Sequence, residues 1–326
     1  MTLTRTKAAI IAGCAAIPVP ATAQDNPLNV LATVGMIADV AQNVAGACAD
    51  VTTLIGPGTD PHYFSATPRD VDVLARADLI FFVDRTLEER LADVLENFRD
   101  RTPTLGLAGA TFDIDALLEN PEDPGMLDPH LWMDVSRWAQ IAPVIADSIA
   151  QLRPDCTEDM ATHVAQYTAQ LDALHIWVGD AIATIPEGQR LLVTAHDAFY
   201  YFADAYGVEA SEAIEGISTA SEASIGDIRE VAAFVIERGV PAVFVETTIN
   251  PRTIEALVAE VQAQGHEVSI GGELFSDAMG DTGTPEGTYI GMIRANTVTV
   301  TTALGGTLPD WPEVLQDWAQ EWDISE

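Results

Sequence analysis

Basic residues are scarce in this chain: among 326 residues, 15 Lys and Arg face 50 Asp and Glu, for a net charge of -35. That scarcity excludes nucleic-acid binding, because gripping a phosphate backbone needs clustered cations. It equally excludes adhesion to an anionic membrane surface by charge. Long apolar runs are lacking too, since no segment approaches the ~20 uninterrupted residues of a bilayer-spanning helix. Several catalytic signatures are missing: there is no His-Glu-x-x-His helix, no Gly-x-Ser-x-Gly elbow and no P-loop. What is present is the material for a core. A hydrophobic content of 48% and a mean hydropathy of +0.15 exclude a disordered chain. The length suits two domains of ~100–200 residues each. An excess of acid suits a cationic partner, although a solvated acidic surface accounts for it equally well.

Cysteine is limited to three residues, and their positions matter. Arg5 and Lys7 open a basic start, Ala8 to Val19 form an apolar stretch, and Ala21-Thr22-Ala23 offers a small-x-small cleavage site. Residues 1–23 therefore read as an export signal, leaving a soluble periplasmic protein. Ile11-Ala12-Gly13-Cys14 also resembles a lipobox, through which the chain would be a lipoprotein anchored at Cys14. The apolar run before Cys14 is short for that purpose, so cleavage after Ala23 is the preferred reading. Once Cys14 is removed, Cys48 and Cys156 remain. An even pair in an oxidising compartment predicts a disulfide.

The exported chain alternates β-branched runs with helical patterns, which predicts an α/β fold with mainly parallel sheets flanked by helices. Strands are expected at 28–34, 51–55, 79–83, 104–107, 190–194, 242–246 and 267–271. Helices are expected at 36–47, 67–77, 87–98, 135–152, 198–206, 225–237, 253–264 and 288–304, with a helical tail from Trp311. Thr157 to Ile185 carries an apolar stripe through Met160, Val164, Tyr167, Leu171, Leu174 and Val178. A helix of that length spans roughly 40 Å at 1.5 Å per residue, and reads as a strut between two halves. The expected organisation is an N-terminal lobe at 24–156, a linking helix at 157–185 and a C-terminal lobe at 186–326.

Six histidines remain to be placed. His62 lies in Gly56-Pro57-Gly58-Thr59-Asp60-Pro61-His62, after a strand. His130 lies in Asp128-Pro129-His130-Leu131-Trp132-Met133-Asp134, before a helix. His196 ends a strand in Thr194-Ala195-His196-Asp197, and Asp277 follows another. Ligands in open parallel sheets bind beyond the carboxyl ends of strands, so these four positions converge between the lobes. Three imidazoles and one carboxylate suit zinc, and suit manganese less well because manganese favours more oxygen. A His beside Asp-Pro is also an ordinary turn or cap residue. His163 and His175 fall inside the long helix and read as helix residues, and His266 reads as an exposed turn residue. Glu246 suits a hydrogen bond to a ligand imidazole. A metallohydrolase would use it as a general base.

Together, these stretches resemble the bacterial metal-binding substrate-binding proteins of ABC transporters, the cluster A-I (cluster 9) class that serves zinc and manganese uptake. Thr33-Val34-Gly35-Met36-Ile37-Ala38-Asp39, Glu215-Gly216-Ile217-Ser218-Thr219 and Leu274-Phe275-Ser276-Asp277-Ala278-Met279 extend the match over essentially the whole exported chain. The resemblance implies two lobes joined by one long helix with a metal in the cleft. It carries the ligand roles onto His62, His130, His196 and Asp277, and it implies a membrane permease as partner and a monomeric carrier. Manganese-dedicated relatives commonly place Glu at the third ligand position, where this chain has His196, which favours zinc. Many zinc-specific relatives carry a His-rich acidic loop before the second ligand. Residues 113–128 hold acids but no His, which leaves room for a manganese-preferring carrier. The function expected is capture and delivery with no chemical step, in a pocket walled by Tyr63, Phe64, Trp132, Phe199 and Tyr200. The rival readings are an exported metallohydrolase and a surface-anchored interaction protein.

Overall fold

The structure, a computed structural model, describes residues 26–84, 86–119, 125–219 and 223–324. The export signal, with Cys14 and the Ala21-Thr22-Ala23 site, lies outside the described residues. Four strands build the first sheet: β1 (Leu28–Ala32), β2 (Ala49–Thr53), β3 (Leu79–Phe82) and β4 (Thr104–Gly106), in the order β2-β1-β3-β4. Every pairing is parallel. All four residues of β3 are buried, as a central strand covered on both faces requires.

The second half contributes β5 (Leu191–His196), β6 (Ala210–Glu215), β7 (Ala242–Glu246) and β8 (Ser269–Leu274). β5 pairs with β6 and β7 with β8, both in parallel, and β5 lies beside β7. β6 was not expected from the sequence. Its Ala-Ser-Glu-Ala-Ile-Glu run has one large apolar residue, so hydrophobic alternation gives no signal there.

Between the halves runs one helix, Thr157–Ala183, with Glu158 and Asp159 in its first turn where the helix dipole favours acid. It buries Met160, Tyr167, Leu171, Leu174 and Val178. It packs on Gly35–Ala45 and Ile141–Leu152 of the first half and on Tyr200–Tyr206 and Tyr289–Ala303 of the second. The helix expected over 135–152 is two pieces, Val135–Trp138 and Ile141–Leu152. Asp134 caps the first, accepting from the Ser136 and Arg137 amides. Pro143 stands in the first turn of the second, where no N–H is needed. The helix expected at 87–98 likewise begins as a short tight turn, Glu89–Leu91, before Ala92–Arg99.

Cys48 and Cys156 form a disulfide with an S–S distance of 2.06 Å. Cys48 immediately precedes β2, so the bond ties the amino edge of the first sheet to the start of the long helix. The carboxyl edges of the strands face the other way, into the cleft between the two halves. Among the described residues, hydrogen bonds that involve buried aromatic residues cross that cleft. Trp132 Nε1 donates to the Ser276 carbonyl at 2.8 Å and Tyr289 Oη to the Trp132 carbonyl at 2.7 Å. The Leu118 amide donates to Tyr201 Oη at 2.9 Å and the Val135 amide to Tyr206 Oη at 3.2 Å.

Candidate metal centre

Three of the four expected site residues, His62, His196 and Asp277, follow or end a strand at the carboxyl side of a sheet, and His130 comes from a loop. The Gly-Pro-Gly turn after β2, with Gly58 at φ +64°, reverses the chain and delivers His62. His130 precedes a short 3₁₀ turn, Leu131–Met133, and His196 is the last residue of β5. Asp277 stands three residues beyond β8. All four are at most 1% exposed.

Asp277 lies at the middle of the cluster. Its Oδ2 is 3.5 Å from His62 Nε2 and 3.3 Å from His196 Nε2, and its Oδ1 is 3.3 Å from His130 Nε2. One donor atom from each of the four residues lies within 4.8 Å of the others. Both Asp277 oxygens and all three Nε2 atoms are buried without a hydrogen-bond partner. Buried polar groups left so cost about 1–3 kcal/mol each. A cation among them would satisfy all five at once.

The outer ring nitrogens of His196 and His130 are anchored. His196 Nδ1 meets Glu246 Oε2 at 2.6 Å, and Glu246 Oε1 accepts the Ala195 and His196 amides at 2.9 Å. His130 Nδ1 meets Asp128 Oδ1 at 2.7 Å. In the neutral ring each carboxylate holds Nδ1–H and leaves Nε2 as the lone-pair atom facing Asp277. Glu246 was expected from the sequence and Asp128 was not. The missed signal was the spacing: Asp128 and Asp60 each accept the backbone N–H of the His two residues on, at 2.9 and 2.8 Å. Both Asp-Pro-His triplets are therefore turns as well as site elements.

Burial drives His62 down to about 3, helped by the neighbouring imidazoles. Burial also opposes a proton on His130, but Asp128 and Asp277 outweigh it and raise that group to about 9. His196 is raised well above the ordinary range because Glu246 and Asp277 outweigh its burial. Burial disfavours the Asp277 carboxylate, yet His196 and His130 hold it well below the usual range. The cluster thus attracts positive charge, whether as protons or as a metal ion.

The family model for the periplasmic component A of the zinc-uptake complex (ZnuA) matches residues 30–303. The chain belongs to this family. Among its relatives, zinc-binding protein TroA of Treponema pallidum (strain Nichols) is 43% identical over 284 residues, covering 87% of this chain and 91% of that protein. Manganese-binding lipoprotein MntA of Bacillus subtilis (strain 168) is 37% identical over 284 residues, covering 86% and 90%. The solved structure of the periplasmic zinc-binding protein TroA from Treponema pallidum superposes with a TM-score of 0.82 at 42% identity, covering 85% of this chain and 99% of that one. These comparisons bear out the resemblance read from the motifs, the two-lobe α/β fold and the class of periplasmic or lipid-anchored metal-binding proteins serving ABC transporters. Among the described residues, no helix is long and apolar enough to cross a membrane.

Of the aromatic residues expected to wall the pocket in this member of the ZnuA family, Trp132 is placed beside a site histidine and Tyr63 is not. Trp132 packs edge-on against His130, with ring centroids 5.3 Å apart, and Phe199 is buried. Tyr63 instead is 39% exposed, and the Arg90 guanidinium lies 4.5 Å above its ring. That cation–π contact turns Tyr63 outward. His163 and His175 stay apart from the cluster, contacting the Val44 carbonyl at 3.0 Å and Tyr206 Oη at 3.1 Å.

Proposed function

We propose that this protein is a monomeric periplasmic carrier that binds one zinc ion through His62, His130, His196 and Asp277 and delivers it to the membrane permease of an ABC importer. The observation that carries this reading is the spacing of the three Nε2 atoms from the Asp277 oxygens, 3.3–3.5 Å. A tetrahedral zinc with bonds of ~2.0–2.1 Å separates its ligand atoms by about 3.3–3.4 Å. The lobes that close on the ion are residues 24–156 and 186–326, linked by 157–185.

One observation favours manganese as a second reading. Asp277 turns Oδ1 to His130 and Oδ2 to His62 and His196, so the carboxylate can bind through both oxygens and supply the extra oxygen donor that manganese favours. Against a metallohydrolase stands the engagement of Glu246. Both its oxygens are committed to His196 and the adjoining amides, which removes the obvious general base. We read the protein as a binding protein with no chemical step.

Metal analysis of the exported protein, followed by competitive titration of zinc against manganese, tests the proposal. One zinc per chain that manganese does not displace is the expected result. Stoichiometric manganese retained against zinc overturns the choice of metal. The mass of the mature N-terminus separates cleavage after Ala23 from lipidation at Cys14.

A further inference from the structure

Asp60 uses its two carboxylate oxygens on opposite sides of the cleft. Oδ1 accepts the backbone N–H of His62 at 2.8 Å, within the loop that follows β2. Oδ2 accepts the hydroxyl of Thr219 at 2.6 Å, 159 residues further along the chain. Thr219 lies in the loop after β6, is 4% exposed, and belongs to the other half of the molecule. That loop adjoins the site directly, because the register of β6 places Glu215 opposite His196.

From this geometry we infer that Thr219 and Asp60 form a latch between the lobes, which slows loss of the metal by holding the His62 loop in place when the cleft is closed. The inference rests on the metal reading given above. In the Trp132, Tyr289, Tyr201 and Tyr206 bonds the side chain belongs to a buried aromatic residue on a helix or 3₁₀ turn. Here two loops meet, and each loop also serves the site. Parting the lobes breaks the Thr219 hydrogen bond and leaves the carboxylate that positions the His62 backbone without its second partner. Conversely, the His62 loop cannot swing away while Oδ2 is held. A hydroxyl bonded to a carboxylate is a charge-assisted pair, stronger than a neutral one. The Trp132, Tyr289, Tyr201 and Tyr206 bonds do not involve the Thr219 hydroxyl and remain in its absence.

The test compares Thr219→Ala and Thr219→Ser in the exported protein. Zinc release, followed by stopped-flow chase into an excess of chelator, is expected to speed up by about tenfold or more in Thr219→Ala, the scale of one charge-assisted hydrogen bond. Thr219→Ser restores the native rate, and zinc association is unchanged in both. Hydrogen exchange of residues 56–64 in the metal-free protein gives a second readout, rising in Thr219→Ala and not in Thr219→Ser. Native release and native exchange in Thr219→Ala overturn the latch, as does a Ser variant that behaves like Ala. Should native protein bind no zinc, the metal reading falls, and the exchange experiment alone decides whether Thr219 restrains the loop.

Discussion

Glu246 holds His196 at two points, accepting from ring Nδ1 with one oxygen and from the backbone amide of the same residue with the other, at 2.6 and 2.9 Å. The last residue of β7 thereby fixes both the place and the tautomer of the last residue of β5. Glu246→Gln keeps the shape and offers an amide N–H to Nδ1, which then must accept, moving the ring proton to Nε2. Nε2 would point a hydrogen at the metal. Zinc affinity is expected to fall about 10–100-fold, the usual effect of losing a ligand's orienting partner. Competitive titration against a chelator of known affinity reads this, and native affinity in Glu246→Gln would refute the orienting role.

Among the described residues, Asp277 is the one anion within 3.5 Å of all three imidazoles. Asp277→Ala and His196→Ala should each weaken zinc by about tenfold or more, since each removes one of four ligands. The same titration checks both. Unchanged affinity in either variant removes that residue from the ligand set.

Much of this site was legible because its chemistry is written in rare residues at strand ends. His196 ends β5 and His62 follows β2, where a parallel sheet places ligands, and the apolar run of β5 announces itself by composition. The parts that escaped reading are those whose signal is tertiary. β6 carries two glutamates and one isoleucine and is a strand because β5 offers it a partner, not because of its own pattern. Asp128 reads as a turn former two residues before His130, and only the fold shows that the same oxygen reaches Nδ1. Thr219 stands in a stretch that carries the family resemblance, but its bond to Asp60 has no sequence signal, because that partner is 159 residues away. Tyr63 was assigned to the pocket by adjacency to His62, whereas Arg90, brought near by the fold, determines where its ring lies.

The disulfide should affect stability without affecting the site. Cys48 and Cys156 are 108 residues apart in sequence. Cross-links over loops of that length typically stabilise by about 2–5 kcal/mol by restricting the unfolded chain. The bond lies at the amino edge of the first sheet, opposite the cleft. The double variant Cys48→Ser/Cys156→Ser is therefore expected to unfold at lower denaturant while binding zinc within about twofold of native, a change too small to imply a lost ligand. Unfolding curves and zinc titration on the same preparation check it. Weakened binding in a folded double variant would contradict this separation. So would full alkylation of both cysteines in unreduced native protein.

The strongest pH effect should have opposite signs with and without metal. In the metal-free site His130 keeps its proton up to about 9 and His196 is held well above its ordinary range. His62, at about 3, is already neutral near pH 7. A divalent ion must therefore displace protons from His130 and His196. Below pH 9 the apparent affinity should fall about tenfold per pH unit for each proton displaced. Calorimetry in buffers of different ionisation enthalpy should detect between about one and two protons released per ion at pH 7. Stability without metal runs the other way. Asp39 is raised to about 6, and Glu88 and Asp197 to about 7, burial being the chief cause in each. These groups and His130 bind protons more tightly folded than unfolded, so stability falls as pH rises through each interval. For the carboxyls that interval ends near 6–7, and for His130 it runs from 6.5 to about 9. His62 opposes the carboxyls below pH 6.5, so the melting temperature of metal-free protein should decline from pH 6.5 to pH 9, while the increment added by saturating zinc grows as its affinity tightens. A metal-free melting temperature that climbs over that range, or a zinc increment that shrinks, would show that the cluster does not exchange protons for metal.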